Sequence, residues 1–316
     1  MTPQGTPVQT SPAPFAFLHP DAGRRLLDAL GAPASTLDDA LASRPVAPLA
    51  PGREVRFVLT VERGTTAARN VVAVLPGDEA PDEYVALGAH YDGLGTIGGE
   101  VHNGADDDAS GVTALLAAAE ALAADRAAGD APDRSALFVF HTAEEKGLHG
   151  SEFFAANPER SLVGDLSNVV AQVNIDMVGR EHPDSLYVVG ASRLSSEYGR
   201  TVASVNAALG EGGGPLFGLD PHFDRPDDPE NIYERSDHYN YAKRGVPVVF
   251  FFDGMGANWR KGGPDDVYHR PTDDPELVDL GKVVRAARLA YGIARATADA
   301  VERPTLDAPA EVAPAP

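Results

Sequence analysis

The stretch YVALGAHYDGLGTIGGEVHNGADDDASGVTALLAAAEALAADRAA, residues 84–128, passes from an apolar segment through a loop into a helix. Its first part, YVALGAHYD (84–92), is a nearly continuous apolar run that ends in His90 and Asp92. That is the pattern of a central strand covered on both faces. Its last part, 109–128, places Val112, Leu115, Leu116, Ala119 and Leu122 at helical spacing. A buried strand followed by a helix is the repeating unit of an α/β sheet.

The same alternation extends outward in both directions. EVRFVLTVE (54–62) has the period of a half-buried strand, and RNVVAVLPG (69–77) follows it. Further strands are expected in ALFVFHTAEE (136–145), NVVAQVNIDMVG (168–179), SLYVVGA (185–191) and VPVVFFFDG (246–254). Helices are expected over 20–30, 148–158, 192–209, 236–245 and 275–302, the last with Leu277, Leu280, Val283, Val284 and Ala287 on one face. The order predicts a three-layer α/β/α sandwich around a mixed, largely parallel sheet. One domain is expected over 15–303, with residues 1–14 and 304–316 disordered by composition. In such sheets sites gather at the carboxyl ends of strands. Four of these strands end there in His or acid: His90, Glu144 with Glu145, Asp176, and Asp253.

Composition narrows the chemistry. The 316 residues include no cysteine, which excludes disulfides, thiolate metal sites and a cysteine nucleophile. A metal would be held by His, Asp and Glu, ligands suited to zinc, manganese or cobalt. The formal net charge of −21 repels nucleic acid and anionic membranes. No run of 18 apolar residues is present, so no membrane-spanning helix is expected. The first 20 residues lack the basic and apolar regions of a signal peptide. Compartment and oligomeric state are left open.

Five short motifs carry the chemistry. GAHYDGLG (88–95) sets His90 and Asp92 two residues apart, on one face of an extended strand. A metal-binding His commonly donates its second ring N–H to a carboxylate, a role open to Asp92. NGADDDASG (103–111) puts three consecutive acids before the best helix, costly to pack without a cation. HTAEEKGLHGS (141–151) offers adjacent carboxylates, one able to bind metal while the other acts as a base. NIDMVG (174–179) sets Asp176 after an apolar run. DVYHRPTDD (266–274) places Tyr268 beside His269 in a loop. Read singly, each has an ordinary alternative: a structural His, an acidic helix start, a solvated loop. Read together, two His and three acids supply five ligands, and one shared carboxylate gives three ligands to each of two zincs.

In this order the motifs resemble the co-catalytic di-zinc aminopeptidases of the bacterial leucyl aminopeptidase type. Their superfamily also holds glutamate carboxypeptidases and glutaminyl cyclases. The resemblance spans about 69–300 and is most specific at GAHYD, GADDDASG and AEE. It implies two zinc ions per chain. His90 and Asp176 would bind one, Glu145 and His269 the other, with Asp106 shared between them. It further implies Glu144 as general base, Asp92 orienting His90, and a cis peptide from Asp106 to Asp107. Tyr268 would donate to the oxyanion. The substrate implied is a peptide with a free amino terminus.

The remaining histidines, His102, His141, His149, His222 and His238, fall outside the ligand pattern. Ser236, Asp237 and His238 are expected to line the site or cap a helix. A carboxypeptidase on the same scaffold would grip a carboxylate with arginines, for which Arg180, Arg225, Arg235 and Arg260 are candidates. A glutaminyl cyclase is a weaker match because Tyr268 stands where such enzymes usually carry Trp. A non-catalytic module is disfavoured because all five ligands and Glu144 are present. The stretch 210–235 is expected to flank the site and shape specificity.

Overall fold

A computed structural model of the chain describes residues 20–29, 31, 64–210, 214–253 and 267–307. The chain divides into two compact units, 1–65 and 66–316, a division that differs from the sequence-based boundary of 15–303. In the first unit the described element is helix α1 (Pro20–Ala29). The strand expected at 54–62 and the disordered segment expected at 1–14 lie outside the described residues.

The second unit is built on a seven-stranded sheet among the described residues, in the order β1-β5-β2-β6-β9-β7-β8. Its strands are β1 (Val71–Leu75), β2 (Ala80–His90), β5 (Arg134–His141), β6 (Val169–Ile175), β7 (Ser185–Val189), β8 (Gly218–Asp220) and β9 (Val248–Phe252). β5, β2, β6 and β9 run parallel at the centre; β1 joins β5 and β7 joins β9 antiparallel. The mixed, largely parallel sheet is as expected from the sequence. A separate hairpin of β3 (Gly95–Ile97) and β4 (Glu100–His102) turns on Gly98 and Gly99, both at positive φ. Neither that hairpin nor β8 was expected.

The strands are covered on both faces because their side chains alternate between two cores. Val85, Leu87 and Ala89 of β2 pack with helix α2 (Ala109–Ala127), helix α4 (Ser196–Ala208) and helix α6 (Leu280–Ala298). Tyr84 and Ala86, pointing the other way, pack with helix α3 (His149–Ala156) and helix α5 (His238–Ala242). These are the three layers of the sandwich.

Two helices keep part of the expected face inward and turn part of it out. On α2 the buried positions are Ala114, Leu115, Ala118 and Leu122, while Leu116 is 55% exposed. On α6 they are Lys282, Val283, Ala286, Ala287, Leu289, Ala290, Ile293, Ala294, Thr297 and Ala298, while Leu280 and Val284 are exposed. Both helices bury alanines among larger apolar residues, which lets α2 and α6 approach closely. α6 starts at Leu280, where Asp279 caps it by accepting the Lys282 N–H at 3.1 Å. Beyond α6, residues 304–307 are anchored, although the tail was expected to be disordered from 304. Thr305 Oγ1 donates to Glu197 Oε2 at 2.8 Å, and Asp307 Oδ2 accepts the Ser196 N–H at 2.8 Å. Residues 308–316 lie outside the described residues.

Candidate metal centre and active site

Parallel strands aim their carboxyl ends at one edge of the sheet, and the sequence motifs meet there. His90 is the last residue of β2, Asp176 follows β6 directly, and Glu144 and Glu145 follow β5 in a short loop. His269 and Tyr268 arrive from the loop before α6. Three non-glycine residues here take left-handed backbone: Ala143 before Glu144 (φ 54°), Met177 after Asp176 (φ 56°) and His269 itself (φ 57°). Such conformations cost about 1–3 kcal/mol each and are held by their surroundings.

Asp107 stands at the centre. Its Oδ1 lies 3.1 Å from His90 Nε2, and its Oδ2 lies 3.2 Å from His269 Nε2. Asp176 Oδ1 is 3.5 Å from the same His90 nitrogen, and Glu145 Oε2 is 3.2 Å from the same His269 nitrogen. Burial opposes a charge on either imidazole, yet the carboxylates outweigh it. His90 is held well above its ordinary pKa by Asp176, Asp107 and Asp92, and His269 is raised to about 9 by Asp107 and Glu145. In the same way the two imidazoles overcome burial and hold Asp107 far below the usual carboxylate range.

This corrects the assignment of Asp106 as the shared carboxylate, and with it the place of the cis peptide, which joins Asp107 to Asp108. The three consecutive acids are all buried but do three different things. Asp106 turns away from the histidines: its Oδ1 accepts the Gly179 N–H at 2.7 Å and its Oδ2 accepts Arg180 Nε at 2.9 Å. Asp107 faces both histidines. Asp108 caps α2 through Gly111 N–H at 3.0 Å, and also accepts the backbone N–H of Met177 at 3.1 Å and of His90 at 3.1 Å. Glycine is required on both sides of the triplet. A Cβ on Gly104, at φ +64°, would stand 2.4 Å from the Asp107 carbonyl, and one on Gly111 would stand 2.3 Å from Asp108 Oδ1.

Two groups have ligand atoms close enough to hold a metal: His90, Asp108 and Asp176, and Asp107, Glu145 and His269. In the first, both Asp108 oxygens are engaged by backbone N–H groups, so Asp107 Oδ1 is the better third donor. His90 Nε2 and Asp176 Oδ1 are buried without a hydrogen-bond partner among the described residues. An orphan imidazole nitrogen facing carboxylate oxygens is satisfied by a cation between them, so the nitrogen and oxygen donors here fit zinc.

The surrounding contacts orient these groups. His90 Nδ1 sits 3.2 Å from the Asp92 carbonyl and 3.7 Å from its carboxylate, so the backbone of Asp92 is the nearer partner. The carboxylate instead accepts the Glu144 N–H at 3.0 Å. Asp176 Oδ2 accepts the Ser236 hydroxyl at 2.7 Å, an arrangement the sequence anticipated only as lining. Asp237 and His238 are fully buried behind the site; burial raises Asp237 to about 7 and lowers His238 to about 3. His141 is likewise buried, lowered to about 3, with its Nε2 3.3 Å from the Tyr241 hydroxyl.

A cavity of about 290 Å³ opens onto these residues. Glu144, Glu145, Asp107, Asp176, Tyr268 and His269 form its polar side, and Leu148, Met177, Ile232, Phe250 and Phe252 its apolar wall. Burial pushes Glu144 up to about 10, with His90 opposing and Asp176, Asp237 and Asp107 adding to it. Tyr268 is raised chiefly by burial and so keeps its proton; its hydroxyl lies 3.3 Å from Arg235 Nη2. Of the four arginines considered for gripping a carboxylate, Arg235 lines the cavity, Arg180 is paired with Asp106, and Arg260 lies outside the described residues. Ile232, Glu234 and Arg235, from the stretch expected to flank the site, do line it. Asp253, the fourth strand-end residue, stays outside the centre, with its Oδ2 2.6 Å from Lys282 Nζ.

Known proteins resemble the chain in sequence and in fold. A "Probable leucine aminopeptidase" of Arthroderma benhamiae is 27% identical over 228 residues, covering 71% of this chain and 56% of that protein. A "Probable zinc metalloprotease" of Pyrenophora teres f. teres is 34% identical over 132 residues, 41% of this chain and 25% of that protein. The chain therefore spans about half, or less, of the length of these curated relatives. Among solved structures, a zinc aminopeptidase from Bacillus subtilis superposes with a TM-score of 0.53 at 21% identity, over 71% of this chain and 48% of that one. A glutaminyl cyclase from Porphyromonas gingivalis gives 0.52 at 21% identity, over 71% of this chain and 76% of that one. Both likenesses are of fold. The model of peptidase family M28 matches residues 70–294, most of the chain, and the chain belongs to that family.

Proposed function

We propose that this protein is a two-zinc aminopeptidase. The observation that carries the reading is the single carboxylate of Asp107 shared between His90 and His269, with Glu144 unassigned to either group and lining the same cavity. His90, Asp107 and Asp176 would hold one zinc; Asp107, Glu145 and His269 would hold the other. When bound, the pair supplies a water acidified toward about pKa 7 and a Lewis acid for the scissile carbonyl.

The chain's own residues account for the proton transfers. With two zinc charges beside it to favour its ionised form over the burial that raises it, Glu144 would take a proton on its carboxylate from the attacking water and return it to the leaving amine nitrogen. Its backbone is fixed by Asp92, whose carbonyl also holds His90, so base and ligand share one support. The Tyr268 hydroxyl, kept protonated and adjacent to Arg235, would donate to the oxyanion of the tetrahedral intermediate. The apolar wall of Met177, Ile232, Phe250 and Phe252 suits an apolar first side chain, and the cavity's size suits the end of a peptide.

The test is turnover on aminoacyl anilides and on matched peptides with free, acetylated or amidated ends. The expected result is hydrolysis of free-amine substrates, abolished by a chelator and restored by zinc. Cleavage of acetylated peptides from the carboxyl end, conversion of glutaminyl peptides to cyclic products without hydrolysis, or activity indifferent to chelation would overturn it.

A further inference from the structure

Asp107 is held from two sides by two other carboxylates. On one side is its neighbour Asp108, which accepts the N–H of His90 at 3.1 Å and of Met177 at 3.1 Å. Asp108 thus ties the triplet to the backbone of one site residue, His90, and to the residue after another, Asp176. On the other side is Asp273. Its carboxylate accepts the Asp106 N–H at 3.0 Å and the Asp107 N–H at 3.1 Å, and its carbonyl accepts the Ala105 N–H at 3.1 Å. Asp273 lies four residues after His269 in a loop closed by Arg270 N–H to Val267 O at 3.0 Å and Asp273 N–H to Arg270 O at 3.2 Å. It therefore fastens Asp107 to the loop that carries His269.

Asp273 is 2% exposed, and its charge is met by a largely buried cation. Arg180 Nη1 lies 3.4 Å from Asp273 Oδ1 while its Nε reaches Asp106 Oδ2 at 2.9 Å, so one guanidinium spans both carboxylates. Arg180 is itself clamped by its backbone: its N–H donates to Asp253 Oδ2 at 2.8 Å, and its carbonyl accepts from the fully buried Lys282 Nζ at 2.6 Å. A planar guanidinium reaches two separated acceptors from two different nitrogens, whereas an ammonium would have to draw both to a single nitrogen.

We infer that Asp273, held by Arg180, is the positioning residue that aligns the Asp107, Glu145 and His269 subsite, while Asp108 independently aligns the His90, Asp107 and Asp176 subsite. This rests on the two-zinc reading. The consequence is that the two subsites can be loosened separately, although they share a ligand. Replacing Asp273 by Asn keeps one acceptor oxygen but turns an amide toward the second backbone N–H. The Asp107 carboxylate then keeps its register with His90 through Asp108 and loses its register with His269.

Stepwise zinc affinities of the full chain, measured by competition with a chromophoric chelator, test this alongside thermal midpoints of the metal-free proteins. The parent should bind two zincs. Asp273→Asn should weaken one of them by about 10–100-fold, the usual effect of losing an outer partner, and leave the other within about threefold. In a His269→Ala background, where that subsite is already broken, adding Asp273→Asn should change the remaining affinity by less than about threefold. Should Asp273→Asn fail to fold, Arg180→Lys carries the same test, with the same one-sided weakening expected. A parent that binds fewer than two zincs would overturn the two-zinc reading and this inference with it. A two-zinc parent whose foldable variant loses neither zinc, or weakens both alike, would overturn the inference alone.

Discussion

Asp107 places one carboxylate oxygen 3.1 Å from His90 Nε2 and the other 3.2 Å from His269 Nε2, so a single side chain joins a strand-end histidine to a loop histidine distant in sequence. Asp106, one residue earlier, reaches neither and pairs with Arg180. The two neighbours should therefore fail differently when mutated. Asp107→Ala removes a donor from both subsites and is expected to lose both zincs. Asp106→Ala leaves Arg180 with half its compensation in a buried setting. Breaking such a pair typically costs about 3–5 kcal/mol, so its thermal midpoint should fall while two zincs still bind at saturating metal. Metal analysis after dialysis against excess zinc, run beside thermal denaturation, separates the two. Two zincs in Asp107→Ala would remove it from the centre.

Glu144 faces the same cavity but belongs to neither donor group, which is what a general base requires. Glu144→Gln preserves shape and removes the proton acceptor. It should retain both zincs and lose at least about 10²-fold in kcat, within the range general bases contribute. Near-parental turnover in a zinc-replete variant would assign the base elsewhere.

The strand-end residues were legible in the sequence because a lone acid or His after an apolar run is expensive unless something pairs with it. His90, Glu145 and Asp176 come together as that logic requires, and His269 joins them from a loop. The logic does not distinguish among Asp106, Asp107 and Asp108, which are 0%, 6% and 3% exposed and lie in a loop without periodicity. One signal was available: a helix starting at Ala109 makes Asp108 its cap, removing it from the choice. Nothing comparable separates Asp106 from Asp107, since the direction each points is set by Arg180 and the two histidines, far off in sequence. Asp273 was missed for a similar reason. Its loop reads as an ordinary acidic turn before Pro275, and its backbone partners lie about 166 residues away. On α2 and α6, Leu116, Leu280 and Val284 turn outward because part of the buried face is alanine, which carries little hydrophobic contrast though it packs helices closely.

Tyr268 is raised by burial and stands 3.3 Å from Arg235, a pairing that keeps a donor and a positive charge on the same side of the cavity. If its hydroxyl meets the oxyanion, Tyr268→Phe should lower kcat by about 10²-fold or more with little change in KM, as loss of an oxyanion donor does. Single-turnover rates on a leucine anilide would measure it. A loss under about threefold would return Tyr268 to a packing role.

Removing the metal should expose a pH dependence that zinc abolishes. In the metal-free protein His269 is raised to about 9 against an ordinary value near 6.5, because Asp107 and Glu145 favour its charged form. A raised histidine stabilises the fold fully below its unfolded pKa, and that contribution disappears as pH climbs through the folded value. His90, held well above its ordinary value, acts in the same direction. So do Glu144, raised to about 10, and Asp237, raised to about 7, since each keeps in the folded state a proton that the unfolded chain has released. The thermal midpoint of the metal-free protein should therefore fall between about pH 6.5 and 9. The His269 share is isolated by comparison with His269→Gln, whose decline over that interval should be shallower. Zinc ligation requires neutral imidazoles, so the loaded protein should be nearly flat over the same interval, and loading near pH 7.5 should release at least two protons, one from each histidine, with a further one from Glu144 as it ionises to act as the base. Titration calorimetry in buffers of different ionisation enthalpy counts those protons. Zinc uptake without proton release, together with a metal-free midpoint independent of pH, would mean that the two histidines are not charged partners of Asp107 when the metal is away.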